Sequence, residues 1–166
     1  VGTHNGRFHA DEVMATAILK EIFEIEVIRT RDANVLEDLD IVYDVGGGKF
    51  DHHGIDKEYR EDGIPYAACG LIWREFGEDV IYSKDTSLST DDIKKVYEYV
   101  DSILIKGIDA LDNGIRGDRE KVPKMHISSI ISGFNPLWYE DKDENKAFDE
   151  AVNIASIVIN NTIDKK

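Results

Sequence analysis

Histidine and aspartate stand together at two places in this 166-residue chain, with a pair of aspartates at a third, and their types and spacing suit divalent metal chemistry. Near the start stand His4, His9 and Asp11. After the apolar run Ile41-Val42-Tyr43 come Asp44-Val45, the glycine cluster Gly46-Gly47-Gly48 and then Asp51-His52-His53. Further on, Asp109 and Asp112 lie in an acidic, glycine-bearing segment from Gly107 to Gly117. Carboxylate plus imidazole is the donor set of a divalent transition ion; Mn²⁺ suits it first, with Mg²⁺, Co²⁺ or Zn²⁺ as alternatives. Two such ions about 3.5–4 Å apart, bridged by one carboxylate, clamp the attacking and leaving oxygens of a phosphoryl displacement. Taken alone, Asp51-His52-His53 reads equally well as a polar turn with solvated histidines. The same chemistry at the start of the chain weighs against that reading.

Hydrophobic patterning predicts the elements that must position these groups. Val1-Gly2-Thr3 ends a first strand, and a loop from His4 to Glu12 follows. An apolar helix covers Val13 to Phe23, capped near Asp11. Glu26 to Thr30 reads as a second strand, Val35 to Leu39 as a short helical turn, and Ile41 to Val45 as a third strand. That alternation implies right-handed crossovers and an α/β fold: a parallel sheet with flanking helices, whose strand ends deliver the first two ligand groups side by side. Downstream, Ala67 to Phe76 reads as a buried helix with Gly70 at a close contact. A longer helix capped by Thr90, with Asp91 and Asp92 in its first turn, runs to Leu104. Ile127 to Ile131 is a short apolar stretch, Phe134 to Trp138 a loop, and Asn145 to Ile163 a final amphipathic helix. With no internal repeat or low-complexity linker, residues 1–166 read as one domain.

Composition narrows the function classes. The hydrophobic share is 42% and the charged share 33%, the balance of an ordinary folded domain. No apolar run reaches membrane-spanning length, and no basic-then-apolar leader opens the chain, so a cytoplasmic protein without a membrane partner is expected. The single cysteine, Cys69, cannot form an internal disulfide, which fits a reducing compartment. A net charge of −14 argues against tight non-specific binding to duplex nucleic acid. It leaves open short strands or small phosphate esters presented to a metal centre, because the ions reverse the field locally.

His4-x4-His9-x-Asp11, Asp44-Val45-Gly46-Gly47 and Asp51-His52-His53 together resemble the DHH phosphoesterase superfamily. More closely the chain resembles the melanocyte-proliferating-gene exonuclease family of predicted metal-dependent hydrolases. Thr3-His4-Asn5-Gly6, Arg29-Thr30-Arg31-Asp32, Asp112-Asn113-Gly114 and Asn135-Pro136-Leu137-Trp138 carry the resemblance over nearly the whole length. It implies a DHH-type catalytic domain with His4 and His9 on one metal, Asp11 and His52 on the other, and Asp44 bridging. Asp109 or Asp112 would supply the remaining ligand, with Asp109 preferred. Asp51 would orient a metal-binding histidine, and His53 would face the scissile phosphate. The wider superfamily usually has aspartate where His9 stands, with one residue fewer after the first histidine. Family members are about twice as long, with a C-terminal domain over the site, so this chain is expected to be the catalytic half. The implied activity is phosphodiester hydrolysis, as a 3′–5′ exonuclease on single-stranded RNA or DNA. The rivals are a small-molecule phosphatase or pyrophosphatase, and a metal-binding or partner-binding domain without turnover.

Further substrate contacts are expected from Asn5 and Arg7 in the first loop and from Arg29 and Arg31 at a strand end. Those two arginines would grip phosphate, or else pair with Asp32 or Glu26. Gly46 and Gly47 would offer backbone N–H groups to an anion, or else serve a turn that needs positive φ. Cys69 reads as a small core residue and His126 as an ordinary one. Trp73 and Trp138 read as packing residues, with Trp138 also able to stack on a base.

Overall fold

A computed structural model of the chain describes residues 1–115 and 125–166. Two short parallel strands, β1 (Gly2–Thr3) and β2 (Ile28–Arg29), flank α1 (Ala10–Lys20) in the chain. α2 (Ala33–Glu37), α3 (Ala68–Lys84) and α4 (Thr90–Val100) follow. A π-helical turn (Asp101–Ile105) leads into α5 (Lys106–Asp112), and then come α6 (Ile127–Ser132) and α7 (Glu144–Ile163). The expected parallel arrangement is present on a small scale. Ile28 N–H donates to Val1 on one side of β1, and Gly2 N–H donates to Ile41 on the other.

The third strand is shorter than the pattern predicts. Val42 makes a parallel bridge to Gly2, and Tyr43 makes one to Phe50. Extension then stops because Asp44 adopts φ 57°, the only positive φ at a non-glycine residue among those described. An L-residue held there costs free energy, and such residues cluster where function over-determines the backbone.

α1 is the axis of the packing. Every residue from Ala10 to Leu19 is buried, with α3 and α7 laid against it. Val13, Met14, Ile18 and Leu19 meet Ile72, Trp73, Phe148 and Val152 in one apolar cluster. Such all-round burial fits its composition, since only Asp11, Glu12 and Thr16 interrupt the apolar run before Lys20. Its first turn begins earlier than expected: His9 is the cap, and its N–H donates to Glu12 Oε1 at 2.9 Å. Asp11 is therefore inside the helix, free for another task.

α3 runs past Phe76 to Lys84, because Trp73, Gly77, Val80 and Ile81 continue its buried stripe. Ser89, not Thr90, caps α4, accepting from Asp92 N–H at 3.2 Å. The segment after Gly107 is helical as far as Asp112, reached through the π-turn; Gly117 lies outside the described residues. The apolar stretch at Ile127 is a helix too, with the His126 ring accepting from Ser129 N–H at 3.3 Å, an ordinary capping role. Asp143 caps α7. No described helix is long and apolar enough to cross a membrane.

Candidate metal centre

The donors converge where β1, the Tyr43–Asp44 segment and the start of α1 meet. His4 follows β1 directly and is 4% exposed. Its Nδ1 lies 3.0 Å from the carbonyl oxygen of Asn5. A ring that donates there leaves Nε2 as its lone-pair nitrogen, the form a metal ligand needs. Nε2 faces Glu12 Oε1 at 3.0 Å and Asp44 Oδ2 at 3.3 Å. On the other side, His52 Nε2 faces Asp44 Oδ1 at 3.1 Å, Asp112 Oδ2 at 3.2 Å and Asp11 Oδ2 at 3.8 Å. The two oxygens of Asp44 thus address two different histidines, and the positive φ of Asp44 aims the carboxylate between them.

Ligand atoms of His4, His9 and Glu12 fall within 4.8 Å of one another, as do those of Asp11, His52 and Asp112, and those of Asp44, His52 and His53. The donor set fits divalent cations on a physical ground. Asp11, Glu12 and Asp44 are buried around the two histidines, and Glu12 Oε2 has no hydrogen-bond partner among the described residues. Buried carboxylates in excess of cations carry a steep desolvation cost that a bound ion relieves. Without metal the histidines take up the burden. Burial opposes charge on His4, yet Asp44 and Glu12 push its pKa up to about 10. Burial likewise opposes charge on His52, and Asp112 and Asp44 push it up to about 10. Asp44 is held down at about 2 against its burial by the same two imidazoles. Asp11 moves well above the usual carboxylate range, through burial first and then the charges of Asp44 and Asp112.

The α3 N-terminus explains how Asp11 is held. α3 has no side-chain cap of its own, since Ala67 occupies that position. Asp11 supplies one from α1: Oδ2 accepts from Ala68 N–H at 2.9 Å and Oδ1 from Cys69 N–H at 2.7 Å. Asp109 completes the set, accepting from Gly70 N–H at 2.9 Å. A side chain at residue 70 would collide, because a Cβ there would lie 1.9 Å from Asp109 Oδ2. These carboxylates satisfy helix N–H groups that would otherwise be orphaned, and they sit at the favourable end of the dipole. Cys69 is a fully buried core residue, its thiol pushed up by burial, then by Asp109 and Asp11.

Several expectations change. Asp109 is paired with Arg60 at 2.8 Å, and it is Asp112, the other candidate, that sits beside His52. Asp51 orients His53 rather than His52: Oδ1 lies 2.8 Å from His53 Nδ1, while Oδ2 accepts from Gly47 N–H at 2.7 Å. That N–H is therefore engaged internally, and Gly46 and Gly47 serve a turn with φ 86° and 72°. Arg29 neither lines the cavity nor pairs with Asp32 or Glu26. Its Nη2 donates to the Gly6 carbonyl at 2.5 Å, and its guanidinium lies 4.6 Å from the Phe148 ring centre, so it pins the first loop from behind. Asn5 is exposed and outside the cavity wall, and its carbonyl serves His4. Arg7 and Arg31 do line the cavity, about 520 Å³, with His4, His9, Asp44, Gly46, Asp51, His53 and Asp112. Trp73 is buried and stacked on Tyr97, as a packing residue, whereas Trp138 is 94% exposed and packs nothing into the core. Glu12 and Arg60 went unassigned from sequence. The signal for Glu12 was its place three residues after a helix-capping His9; for Arg60, in a loop between elements, there was none.

A parallel-stranded core thus collects imidazoles and carboxylates from two strand ends and one helix into groups that could hold a metal ion. The MYG1_exonuc family, described as "Uncharacterised protein family (UPF0160)", matches residues 1–166, and the chain belongs to it. The Schizosaccharomyces pombe MYG1 protein is 31% identical over 94% of this chain and 54% of its own length. The human MYG1 exonuclease is 31% identical over 93% of this chain and 47% of its own length. The Saccharomyces cerevisiae MYG1 protein is 33% identical over 93% and 52%. The chain therefore spans about half the length of the curated relatives it matches. No solved structure matches it.

Proposed function

We propose that this chain is the metal-binding, catalytic half of a phosphodiesterase of the DHH phosphoesterase kind, removing nucleotides from an end of single-stranded RNA or DNA, in the 3′–5′ direction. The observation that carries the reading is Asp44, whose two oxygens face His4 and His52 at 3.3 and 3.1 Å from a backbone held at φ 57°. A carboxylate so placed would suit a bridge between two ions. The human, bovine and mouse relatives bear the name MYG1 exonuclease, which supports a nucleic acid end as substrate.

His4, His9 and Glu12 would hold one ion, and Asp11, His52 and Asp112 the other. Two divalent ions, Mn²⁺ first, would lower the pKa of water and neutralise charge building on the phosphoryl oxygens. The remaining residues act on substrate. Asp51 Oδ1 lies 2.8 Å from Nδ1 of His53, and the 62%-exposed ring lines the cavity, where it would give a proton to the leaving oxygen. Arg7 and Arg31 at the cavity wall meet phosphate in an otherwise acidic chain.

The test is metal stoichiometry together with Mn²⁺-dependent cleavage of labelled short RNA, DNA and pyrophosphate. The expected result is two ions per chain and release of mononucleotides. His53→Ala is expected to keep both ions and lose about 10²–10⁴-fold in rate. No hydrolysis of any phosphodiester overturns the reading; an emptied metal site in His53→Ala overturns the role given to that ring.

A further inference from the structure

The most exposed large aromatic residue near the centre is tied to the metal-ligand loop. Asn135, 7% exposed, accepts from Phe8 N–H at 2.9 Å and donates to the Phe8 carbonyl at 2.8 Å. Phe8 stands between Arg7 and His9, so this two-bond amide clamp joins the Asn135–Tyr139 turn to the loop that carries the first ligands. The turn is closed beyond Pro136: Glu140 N–H donates to the Leu137 carbonyl and Leu137 N–H to Glu140 Oε2, each at 2.9 Å. At its tip Trp138 is 94% exposed and Tyr139 67%, their rings edge to face with centres 5.4 Å apart. A cavity of about 270 Å³ beside the turn is lined by Arg7, Trp138, Glu140, Lys142 and Glu144 among others, and Arg7 also walls the metal cavity.

Two features decide what such a place receives. A large apolar ring left exposed on a closed, anchored turn does not serve the core of this chain; Trp73 already does. The charged groups around it are not a phosphate site either. Glu140 and Glu144 border it, and Lys142 is paired with Glu150 at 3.1 Å. A flat, neutral group suits it, next to an arginine that suits a phosphate.

Resting on the phosphodiesterase reading, we propose that Trp138, backed by Tyr139, is the stacking platform for a base of the single-stranded substrate, with Arg7 contacting the phosphate between that nucleotide and the metal centre. Every base has a π-face, so the platform selects unpaired strands without selecting sequence.

The experiment uses a six-nucleotide single strand with phosphorothioate linkages in Mn²⁺, read by tryptophan emission and acrylamide quenching. Trp73 is buried, so the change reports on Trp138. Binding is expected to shield Trp138 from acrylamide. Trp138→Ala is expected to weaken the strand about tenfold, Trp138→Phe about threefold or less. A strand lacking bases should bind wild type and Trp138→Ala alike. Equal affinity of wild type and Trp138→Ala for the intact strand, or an unshielded Trp138 at saturation, overturns the platform. Failure of the phosphodiesterase reading shows separately, as absent hydrolysis of every diester by wild type. Self-association in the ultracentrifuge that Trp138→Ala abolishes, with strand affinity unchanged, assigns the turn to a second copy and likewise overturns the proposal.

Discussion

Asp109 and Asp112 lie three residues apart on α5 and meet opposite fates. Asp109 is fully buried, takes an N–H from Gly70 and faces Arg60, which also forks onto Asp101 at 3.0 and 2.7 Å. Asp112 is partly open and shares His52 with Asp11 and Asp44. In the first cluster one guanidinium serves two carboxylates, Asp101 and Asp109, and Asp109 also takes a helix N–H. The second has no such fixed cation among the described residues: the buried groups that can carry positive charge beside Asp11, Glu12, Asp44 and Asp112 are the two imidazoles of His4 and His52. The difference teaches where an added cation is needed. An acidic cluster with an internal arginine has a fixed counter-charge; one that must borrow protons on histidine suits an added cation.

The largest expected effect comes from Asp44 in the open cluster. Asp44→Asn removes the charge facing both histidines and is expected to lose most bound Mn²⁺. The loss of rate is about a thousandfold, since bound ions contribute several kcal/mol to the transition state and each 1.36 kcal/mol is a factor of ten. Metal analysis by mass spectrometry beside the hydrolysis assay checks it. Undiminished metal content in that variant would mean Asp44 does not bridge.

The closed cluster should break differently, in stability rather than metal content. Arg60→Met strands Asp101 and the buried Asp109 without a cation, and about 3–5 kcal/mol is expected to go in urea unfolding of the metal-free chain. Asp109→Asn should cost less, about 1–2 kcal/mol. Burial already pushes the Asp109 carboxyl up to about 7, with Arg60 and the Gly70 N–H opposing, so a neutral group of the same shape is half-accommodated. A ranking in which Asp109→Asn is the worse of the two would sink the internal-neutrality account.

The contrast also marks what could be seen in the chain alone. His4, His52 and Asp44 stand at strand ends or in a glycine-flanked turn, where residue type and spacing speak directly. Asp109 and Asp112 did not separate, because residues three apart share a helix face and only the partner across it distinguishes them. That partner, Arg60, lies in a loop with no periodicity to announce its direction. The π-turn at Asp101–Ile105, which sets the phase of α5 and brings Asp101 under Arg60, leaves no composition signal either. The sequence predicts a third strand through Val45 because the apolar run Ile41-Val42-Tyr43 resumes there, while the backbone turns at Asp44, whose carboxylate faces His4 and His52.

The smallest effect, and the sharpest on the nature of the open cluster, is its pH dependence. In the metal-free chain His4 and His52 each titrate near 10 when folded, against an ordinary 6.5. A raised folded pKa stabilises fully below 6.5 and is lost as pH climbs through 10. The melting temperature of the metal-free chain is therefore expected to fall steadily between pH 7 and 10. Metal must displace those protons to bind, so apparent Mn²⁺ affinity should rise over the same window, and saturating Mn²⁺ should flatten the stability slope. The Arg60 guanidinium stays charged throughout, and the Asp109 carboxyl, raised to about 7, has given up its proton by the lower part of that window, so neither lowers stability up to pH 10. The measurement is paired thermal melts with and without Mn²⁺ at five pH values. A metal-free profile flat from pH 7 to 10 would mean the two histidines are not carrying the excess carboxylate charge, and the distinction between the two clusters would have to be redrawn on geometry alone.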